Sequence, residues 1–287
     1  MIDAAWPPRE PAGASQPSVD AEDVRLLLDT VLEKSGLDFR GYAFSSIRRR
    51  VARAVYETGV DSVSALHARL RDDPSILTQV TTVLTVHTTS LFRDPLFFAA
   101  LRAKVLPVLH TYPFLRLWVA GCSTGEEVYS LAILLQEEGL YDRCRIYATD
   151  LSEKALSQAR DGVYPLAAMQ DYSRNYQLAE GKSSLSDYYT ADSHSVILRR
   201  NLRTNVVFGT HNLVSDASFN EFHVILCRNV MIYFGRDLQA RVHRLFYDSL
   251  ISFGFLGLGK SESVRFTPYE QSYEIVDRRI RLFRKVR

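Results

Sequence analysis

The stretch from Leu115 to Asp150 limits this chain to a small set of folds. It opens with a short apolar run of the kind that forms a strand buried on both faces. A turn containing Gly121 and Gly125 follows, then a run with the apolar spacing of an amphipathic helix, then a second strand that ends at Asp150. The predicted parts are strand 115–120, helix 126–138 and strand 145–149. This order predicts the nucleotide-binding half of a Rossmann-like α/β fold.

The residues of this turn indicate which ligand it binds. The loop is G-x-x-x-G, whereas a pyrophosphate is usually bound by G-x-G-x-x-G. The helix also opens with Glu126 and Glu127, whose charges would repel phosphates. Asp150 lies 25 residues after the second glycine, about where such folds place a carboxylate for ribose hydroxyls. A ligand with a ribose, a cationic group and no phosphate therefore fits, and S-adenosylmethionine is such a ligand; the alternative is that the turn only forms a capping box for the helix.

Composition excludes several classes of protein. The chain has 287 residues, which is enough for two domains, and a net charge of +2, so any electrostatic preference must come from local clusters. Cys122, Cys144 and Cys227 are too few and too scattered for a disulfide framework or a zinc site, and they fit a reducing cytosol. No apolar run approaches the roughly 20 residues of a membrane span. Residues 1–18 lack the order of a signal peptide, and their Pro, Ala and Ser content predicts a disordered tail.

Residues 19–88 are predicted to form an all-helical domain, because three apolar stripes with helical spacing occur without a strand signal. The apolar positions of the second helix face inward, so most of its arginines are expected to face outward together. These are Arg48, Arg49, Arg50 and Arg53. Such a face suits protein carboxylates or nucleic acid phosphates, and the alternative is a solvated charged surface. The threonine-rich stretch 76–93 is interpreted as a linker or as the entrance to a site.

Residues 89–287 are predicted to form the α/β domain, with a small antiparallel β insertion over the polar, Tyr-rich and Ser-rich segment 164–204. A helix over 96–109 comes before the first strand. After the insertion we expect strands 206–210, 222–227, 253–258 and 274–286, and a helix over 237–250. Ligands in such sheets bind beyond the carboxyl ends of the strands. That rule predicts that one cleft is lined by residues 121–127, Asp150, Asn212, Arg228, Asn229 and Tyr233.

Seven motifs follow one another along residues 24–285: TTSLFRD, GCSTGEEVYSLA, ATDLSEKAL, ARDGVY, HNL, CRNVMIYF and GKSES. Together they resemble the bacterial chemotaxis receptor glutamate methyltransferases, the CheR family. The resemblance implies a class I methyltransferase fold, S-adenosylmethionine as methyl donor and S-adenosylhomocysteine as product. It implies glutamate γ-carboxylates on the cytoplasmic helices of chemoreceptors as acceptors. We therefore expect a cytoplasmic, monomeric enzyme that binds no metal and no nucleic acid and does not insert into the membrane.

The resemblance also implies roles for individual residues. Arg93 and Tyr233 would be catalytic, with Arg93 over the donor and Tyr233 on the substrate carboxylate. Glu126 or Glu127 would hold the methionine ammonium of the cofactor, and Asp150 its ribose. The other implied cofactor contacts are His87, Thr89, Arg93 in addition to its catalytic role, Gly121, Asn212, Leu213, Arg228 and Asn229. Receptor recognition is implied for Arg48, Arg49, Arg50 and Arg53.

The chain departs from the family pattern at four points, and two other functions remain open. His87 stands where the family usually has Asn, His223 replaces a common Asp, and Phe255 replaces one Gly of a usual pair. The insertion lacks a glycine-rich turn that helps some members to hold a receptor's tail peptide. One alternative, suggested by His87, is a non-catalytic module that binds the cofactor or its product. The other is a methyltransferase for nucleic acid or a small molecule, suggested by the arginine helix and by three arginines within 199–203.

Overall fold

A computed structural model describes residues 19–85 and 88–286 of the chain. The chain divides into two compact units between Thr85 and Val86. The predicted tail, 1–18, and His87 lie outside the described residues. The described part of the first unit forms four α-helices: α1 Ala21–Ser35, α2 Phe44–Glu57, α3 Val63–Asp72 and α4 Pro74–Leu84. Among the helices of the described ranges, none is both long and apolar enough to cross a membrane.

The threonine-rich stretch is not a linker along its first part, because α4 extends to Leu84. Asp73 starts this helix by accepting a hydrogen bond from the Ser75 amide at 2.8 Å, and a proline occupies the first turn. The threonine hydroxyls bond back along the helix; Thr81, for example, donates to the Leu77 carbonyl at 2.8 Å. Hydroxyls satisfied in this way are compatible with a helix, and the interpretation of 76–84 as a linker is wrong.

The second unit contains a main sheet, a small sheet and six α-helices in the part that the structure describes. The helices are α5 Pro95–Ala100, α6 Leu106–Leu109, α7 Glu126–Glu137, α8 Glu153–Asp161, α9 Met169–Leu178 and α10 Arg236–Ser249. A π-helical turn, Leu101–Val105, joins α5 to α6 within the helix predicted over 96–109. The strands are β1 Leu115–Ala120, β2 Cys144–Asp150, β3 Val163–Pro165, β4 Tyr189–Ala191, β5 Ser195–Leu198, β6 Val206–Thr210, β7 Phe222–Cys227, β8 Leu250–Leu258, β9 Tyr273–Asp277 and β10 Leu282–Lys285.

The main sheet has the strand order β6-β2-β1-β7-β8-β10-β9. Neighbours from β6 to β8 are parallel, and β10 is antiparallel to both β8 and β9. The Rossmann-like class I methyltransferase fold is therefore confirmed. The single last strand predicted over 274–286 is wrong, because the chain turns after Asp277, whose carboxylate accepts the Arg279 amide at 2.9 Å. Such a local bond from an aspartate to the backbone two residues on is a turn signal that the alternating pattern concealed.

The small sheet has the order β3-β5-β4, and both pairings are antiparallel, as predicted for the insertion. The insertion also contains α9, which was not predicted. This helix buries Met169, Tyr172 and Tyr176, at helical spacing i, i+3 and i+7. Because the buried residues are mostly tyrosines, the segment looks polar by composition although one face is covered.

A buried histidine on α10 predicts that the protein loses stability in acid. His243 on α10 is 1% exposed, and burial lowers the pKa of its imidazole from 6.5 to about 4. The unfolded chain binds this proton more readily than the folded chain, so the contribution to stability is lost as the pH falls from about 6.5 towards 4. We expect this residue to make the free energy of unfolding about 2 kcal/mol lower at pH 5 than at pH 8.

Urea unfolding of the wild type and of His243→Gln at both pH values measures this effect. Between pH 8 and pH 5, the free energy of unfolding should fall by about 2 kcal/mol less in the variant than in the wild type. An equal loss in both proteins would assign the acid sensitivity to other groups.

Candidate active site

The glycine turn after β1 brings three elements together. Gly121 and Gly125 have φ angles of +74° and +96°, in the left-handed region that favours glycine. A Cβ at Gly121 would lie 2.5 Å from Cγ2 of Val230, in the loop after β7. A Cβ at Gly125 would lie 2.8 Å from the Cβ of Ala159 on α8. Both glycines are therefore required by close packing as well as by the backbone angle.

Asp150, at the end of β2, holds this turn from the other side. Its Oδ2 accepts a hydrogen bond from the Ser123 amide at 2.8 Å, and its Oδ1 accepts one from the Ser152 amide at 2.9 Å. Each carboxylate oxygen has a second lone pair, so this half-buried group can still accept a bond from a ligand hydroxyl. The ribose role of Asp150 stays a prediction.

The two acids at the start of α7 are both buried. Glu126 is 5% exposed and accepts a hydrogen bond from the Thr124 hydroxyl at 2.7 Å. Glu127 is 9% exposed and accepts a bond from Arg228 Nη1 at 2.7 Å. Burial raises the pKa of both carboxyls, and for Glu127 the guanidinium partly opposes that rise. The capping-box alternative is wrong, because the N-cap residue is Gly125 and no side chain in the described part of the chain caps the helix.

Arg228 connects the acids to the segment before α5. Its side chain is 1% exposed, and its Nη2 donates to the Asp94 carboxylate at 2.7 Å and to the Arg93 carbonyl at 3.0 Å. The guanidinium also lies 4.2 Å from the centre of the Phe97 ring. Arg228 therefore joins the end of β7, the start of α7 and the Arg93 segment through contacts within the protein.

The Arg93 segment is fixed by contacts that are distant in sequence. Phe92 has a φ of +50°, and its amide donates to Ser130 Oγ at 2.7 Å. Asn175 on α9 donates to the Leu91 carbonyl at 3.2 Å. Arg93 is half-buried and donates to the Thr88 carbonyl at 2.8 Å. Sequence reasoning missed Ser130 and Asn175, because neither contact leaves a local pattern.

The loop after β6 lies beside Asp150. The His211 amide donates to the Asp150 carbonyl at 3.3 Å. Asn212 is half-buried and accepts the Val214 amide at 2.9 Å, while Leu213 is 7% exposed. The structure thus places both predicted adenine neighbours near the end of β2.

The loop after β7 carries the remaining predicted residues. Asn229 has a φ of +60°, and Tyr233 is half-buried in a short 3₁₀ turn, Met231–Tyr233. The Asn229 amide donates to the buried carboxylate of Glu262 at 3.0 Å. Sequence reasoning named the GKSES motif that contains Glu262 and assigned this residue no role.

The chemistry of these residues fits S-adenosylmethionine. Ser123 Oγ and Asn229 Oδ1 are buried and have no hydrogen-bond partner in the described ranges, so each can bond a ligand. Arg228 is shared by two carboxylates, which leaves the cluster with net negative charge. The carboxylates are Asp94, Glu126, Glu127 and Asp150, and the guanidiniums are those of Arg93 and Arg228. A negative site suits a ligand with a sulfonium and an ammonium group.

In the first unit, one predicted recognition residue is not on the exposed face. Arg50 is 5% exposed and donates to the Leu84 carbonyl, so it does not belong to the outward face expected for most of these arginines, and its predicted recognition role is corrected. Arg48, Arg49 and Arg53 are exposed, and Arg53 forms an ion pair with Glu57 at 2.6 Å.

Comparison with known proteins identifies the family of the chain. Residues 87–279 match the family described as CheR methyltransferase, SAM binding domain, and residues 22–85 match CheR methyltransferase, all-alpha domain. A protein of Pseudomonas putida named methyltransferase Cher3 is 44% identical over 94% of this chain and 99% of its own length. Chemotaxis protein methyltransferase 1 of Pseudomonas aeruginosa is 30% identical over 77% of this chain and 83% of its own. The chemotaxis protein methyltransferase of Listeria monocytogenes is 29% identical over 85% and 92%. The chain therefore belongs to the CheR methyltransferase family, whose methyl donor is S-adenosylmethionine.

Proposed function

We propose that this protein transfers a methyl group from S-adenosylmethionine to glutamate γ-carboxylates on the cytoplasmic helices of chemoreceptors. The observation that supports the proposal is that the half-buried Arg93 guanidinium lies near enough to Glu127 to favour the ionised form of that carboxyl. A guanidinium suits a carboxylate acceptor, because its planar donors match the two oxygens. The names of the chemotaxis relatives support the same substrate class and a cytoplasmic location.

In the proposed reaction, the main task of the protein is to position the acceptor carboxylate against the methyl group. When bound, S-adenosylmethionine supplies an electrophilic methyl group that leaves its sulfur as a new bond to the acceptor oxygen forms. A glutamate carboxyl, with a reference pKa of about 4.3, is already ionised at neutral pH, so no proton has to be removed. Arg93 and Tyr233 are proposed to hold this carboxylate through a charge-assisted hydrogen bond and a phenol hydrogen bond. Well-oriented reactants can gain roughly 7–11 kcal/mol from such placement.

The exposed face of α2 is the proposed receptor contact. Arg49, Arg53 and Tyr56 follow one another at helical spacing i, i+4 and i+7, and Tyr56 is 78% exposed. Arg48 extends the positive charge beside them. Arginine and tyrosine are enriched in protein interfaces, so this combination favours an acidic protein surface over a merely solvated face.

Incubation with methyl-labelled donor tests the function. Two receptor cytoplasmic fragments are compared, one with glutamates at the methylation sites and one with glutamines there, together with an RNA of similar charge. The expected result is label on the glutamate fragment alone, released by mild base as a methyl ester is. Label on the RNA, on both fragments or on none of them would overturn the proposal.

Charge reversal on α2 tests the docking face. Arg48→Glu with Arg49→Glu is expected to raise the KM for the receptor fragment about 10-fold, since each exposed ion pair is worth up to about 1 kcal/mol. The affinity for S-adenosylhomocysteine should not change. Added salt should weaken docking of the wild type, because it screens surface charges. The control is Arg25→Glu with Arg71→Glu, on α1 and α3, which changes the net charge of the protein by the same amount as the α2 variant. An equal increase of KM in the control would assign the effect to net charge alone.

A further inference from the structure

We propose that Glu262 is a positioning residue, whose carboxylate fixes the loop 228–234 in the conformation that methyl transfer requires. The reaction loop, as we call residues 228–234, carries Asn229 and Tyr233. The inference rests on the proposed function only where it concerns the catalytic rate. Its effect on the loop can be measured without any acceptor.

Within the described residues, the hydrogen bonds that the Glu262 carboxylate accepts all come from backbone amides. Glu262 is buried, with 5% of its surface exposed. Its Oε2 accepts from the amides of Gly259 at 2.6 Å and Asn229 at 3.0 Å. Its Oε1 accepts from the amides of Val230 at 2.9 Å and Ile232 at 3.2 Å. One side chain thus satisfies three amides of the reaction loop and one in its own turn.

The reaction loop needs such a partner because it lies outside the sheet. Buried amides without a strand or helix partner are costly, and the left-handed backbone of Asn229 adds strain. Gln239 on α10 holds the carbonyl side of the same loop, since its Nε2 donates to Met231 at 3.1 Å and Phe234 at 3.0 Å. Together Glu262 and Gln239 bind amides and carbonyls on either side of the turn that bears Tyr233.

A carboxylate is chemically specific here. Two ionised oxygens provide four acceptor sites for four amides, whereas a glutamine would turn its own NH₂ donors towards two of them. Burial raises the pKa of Glu262, and the four amides counter this by favouring the ionised form. The carboxylate also needs space, because a Cβ at Gly259 would lie 2.6 Å from its Oε2 and 2.7 Å from the Asn229 nitrogen.

Two different substitutions should each weaken the contact between the Glu262 carboxylate and the reaction loop. Glu262→Gln keeps the size and removes the charge, and Gly259→Ala keeps the carboxylate and separates it from the loop. The matched control is Glu270→Gln, because the Glu270 carboxylate also accepts a backbone amide, that of Phe266 at 2.9 Å, but outside the reaction loop.

Hydrogen–deuterium exchange and kinetics test the proposal. In Glu262→Gln and Gly259→Ala, amides in peptides covering 228–234 should exchange about 10-fold faster or more, the usual worth of a hydrogen bond to a charged group. Exchange in β1 and α7 should stay unchanged, kcat should fall about 10-fold, and the KM for the receptor fragment should stay within about threefold. Glu270→Gln should match the wild type in all of these measurements.

Unchanged exchange in the reaction loop of both variants would overturn the proposal. Faster exchange throughout the unit would also overturn it, because Glu262 would then support the fold in general. If the wild type transfers no methyl to receptor glutamates, the function proposed above fails, while the exchange results still decide whether Glu262 holds the loop.

Discussion

Replacing Arg228 by methionine is expected to lower the free energy of unfolding by about 3–5 kcal/mol, the usual cost of leaving a buried charge without its partner. Arg228 has a side chain that is 1% exposed and forms ion pairs with Glu127 and Asp94. Methionine fills a similar volume, so the loss should arise from the uncompensated buried carboxylate of Glu127 and only slightly from packing. Urea unfolding at neutral pH without ligand measures the effect.

Two further variants separate the ion pair from other causes. Arg228→Met combined with Glu127→Gln should recover part of the lost stability, because the second change removes the stranded charge. Arg160→Met breaks an ion pair in which both side chains are more than one-third exposed, and it should cost under about 1 kcal/mol. A loss in Arg228→Met no larger than in Arg160→Met would contradict the role assigned to the buried network.

Replacing Arg93 by alanine is expected to lower the single-turnover rate of methyl transfer about 100-fold, and Tyr233→Phe about 10-fold. The reason is lost placement of the acceptor carboxylate, for which an error of about 1 Å can cost a factor of 100. Binding of S-adenosylhomocysteine, measured by calorimetry, should change little in either variant. Arg174→Ala, on the exposed side of α9, is the control and should keep the wild-type rate.

The same positioning account predicts a flat pH profile for the wild type. Between about pH 6 and pH 9 neither an ordinary glutamate nor a guanidinium titrates, so the single-turnover rate should be nearly constant. A steep rise with a midpoint near 6.5, the ordinary value for histidine, would indicate a general base such as His211 and would contradict the account.

The sequence predicted those parts of the fold that local patterns determine. The segment 115–150 folds as expected, because its apolar runs, glycines and acids each act within a few residues. The α9 helix was missed because its buried face consists largely of tyrosines. Arg50 was misplaced because helical spacing gives the direction of a Cα–Cβ bond, whereas a long side chain can bend back to a carbonyl such as that of Leu84.

Many residues of the candidate active site could be predicted from the sequence, but few of the contacts between them could. Glu127 and Arg228 were both named as cofactor contacts, but the ion pair between them joins positions 101 residues apart. Glu262 binds amides about 30 residues away, and its sequence neighbourhood shows only a short polar turn. Contacts of this kind depend on how the strands are ordered in the sheet, and no periodicity in the chain records that order.

The shared guanidinium of Arg228 makes the two sides of the site thermodynamically dependent on each other. A cation that binds at Glu127 competes with Arg228 for that carboxylate and shifts the guanidinium towards Asp94 and the Arg93 carbonyl. If Glu127 holds the ammonium group of the cofactor, cofactor binding changes how firmly Arg228 holds the Arg93 segment. By reciprocity, an acceptor carboxylate that engages Arg93 must change the affinity for the cofactor by the same factor. The binding of the two substrates would then be coupled through the guanidinium of Arg228.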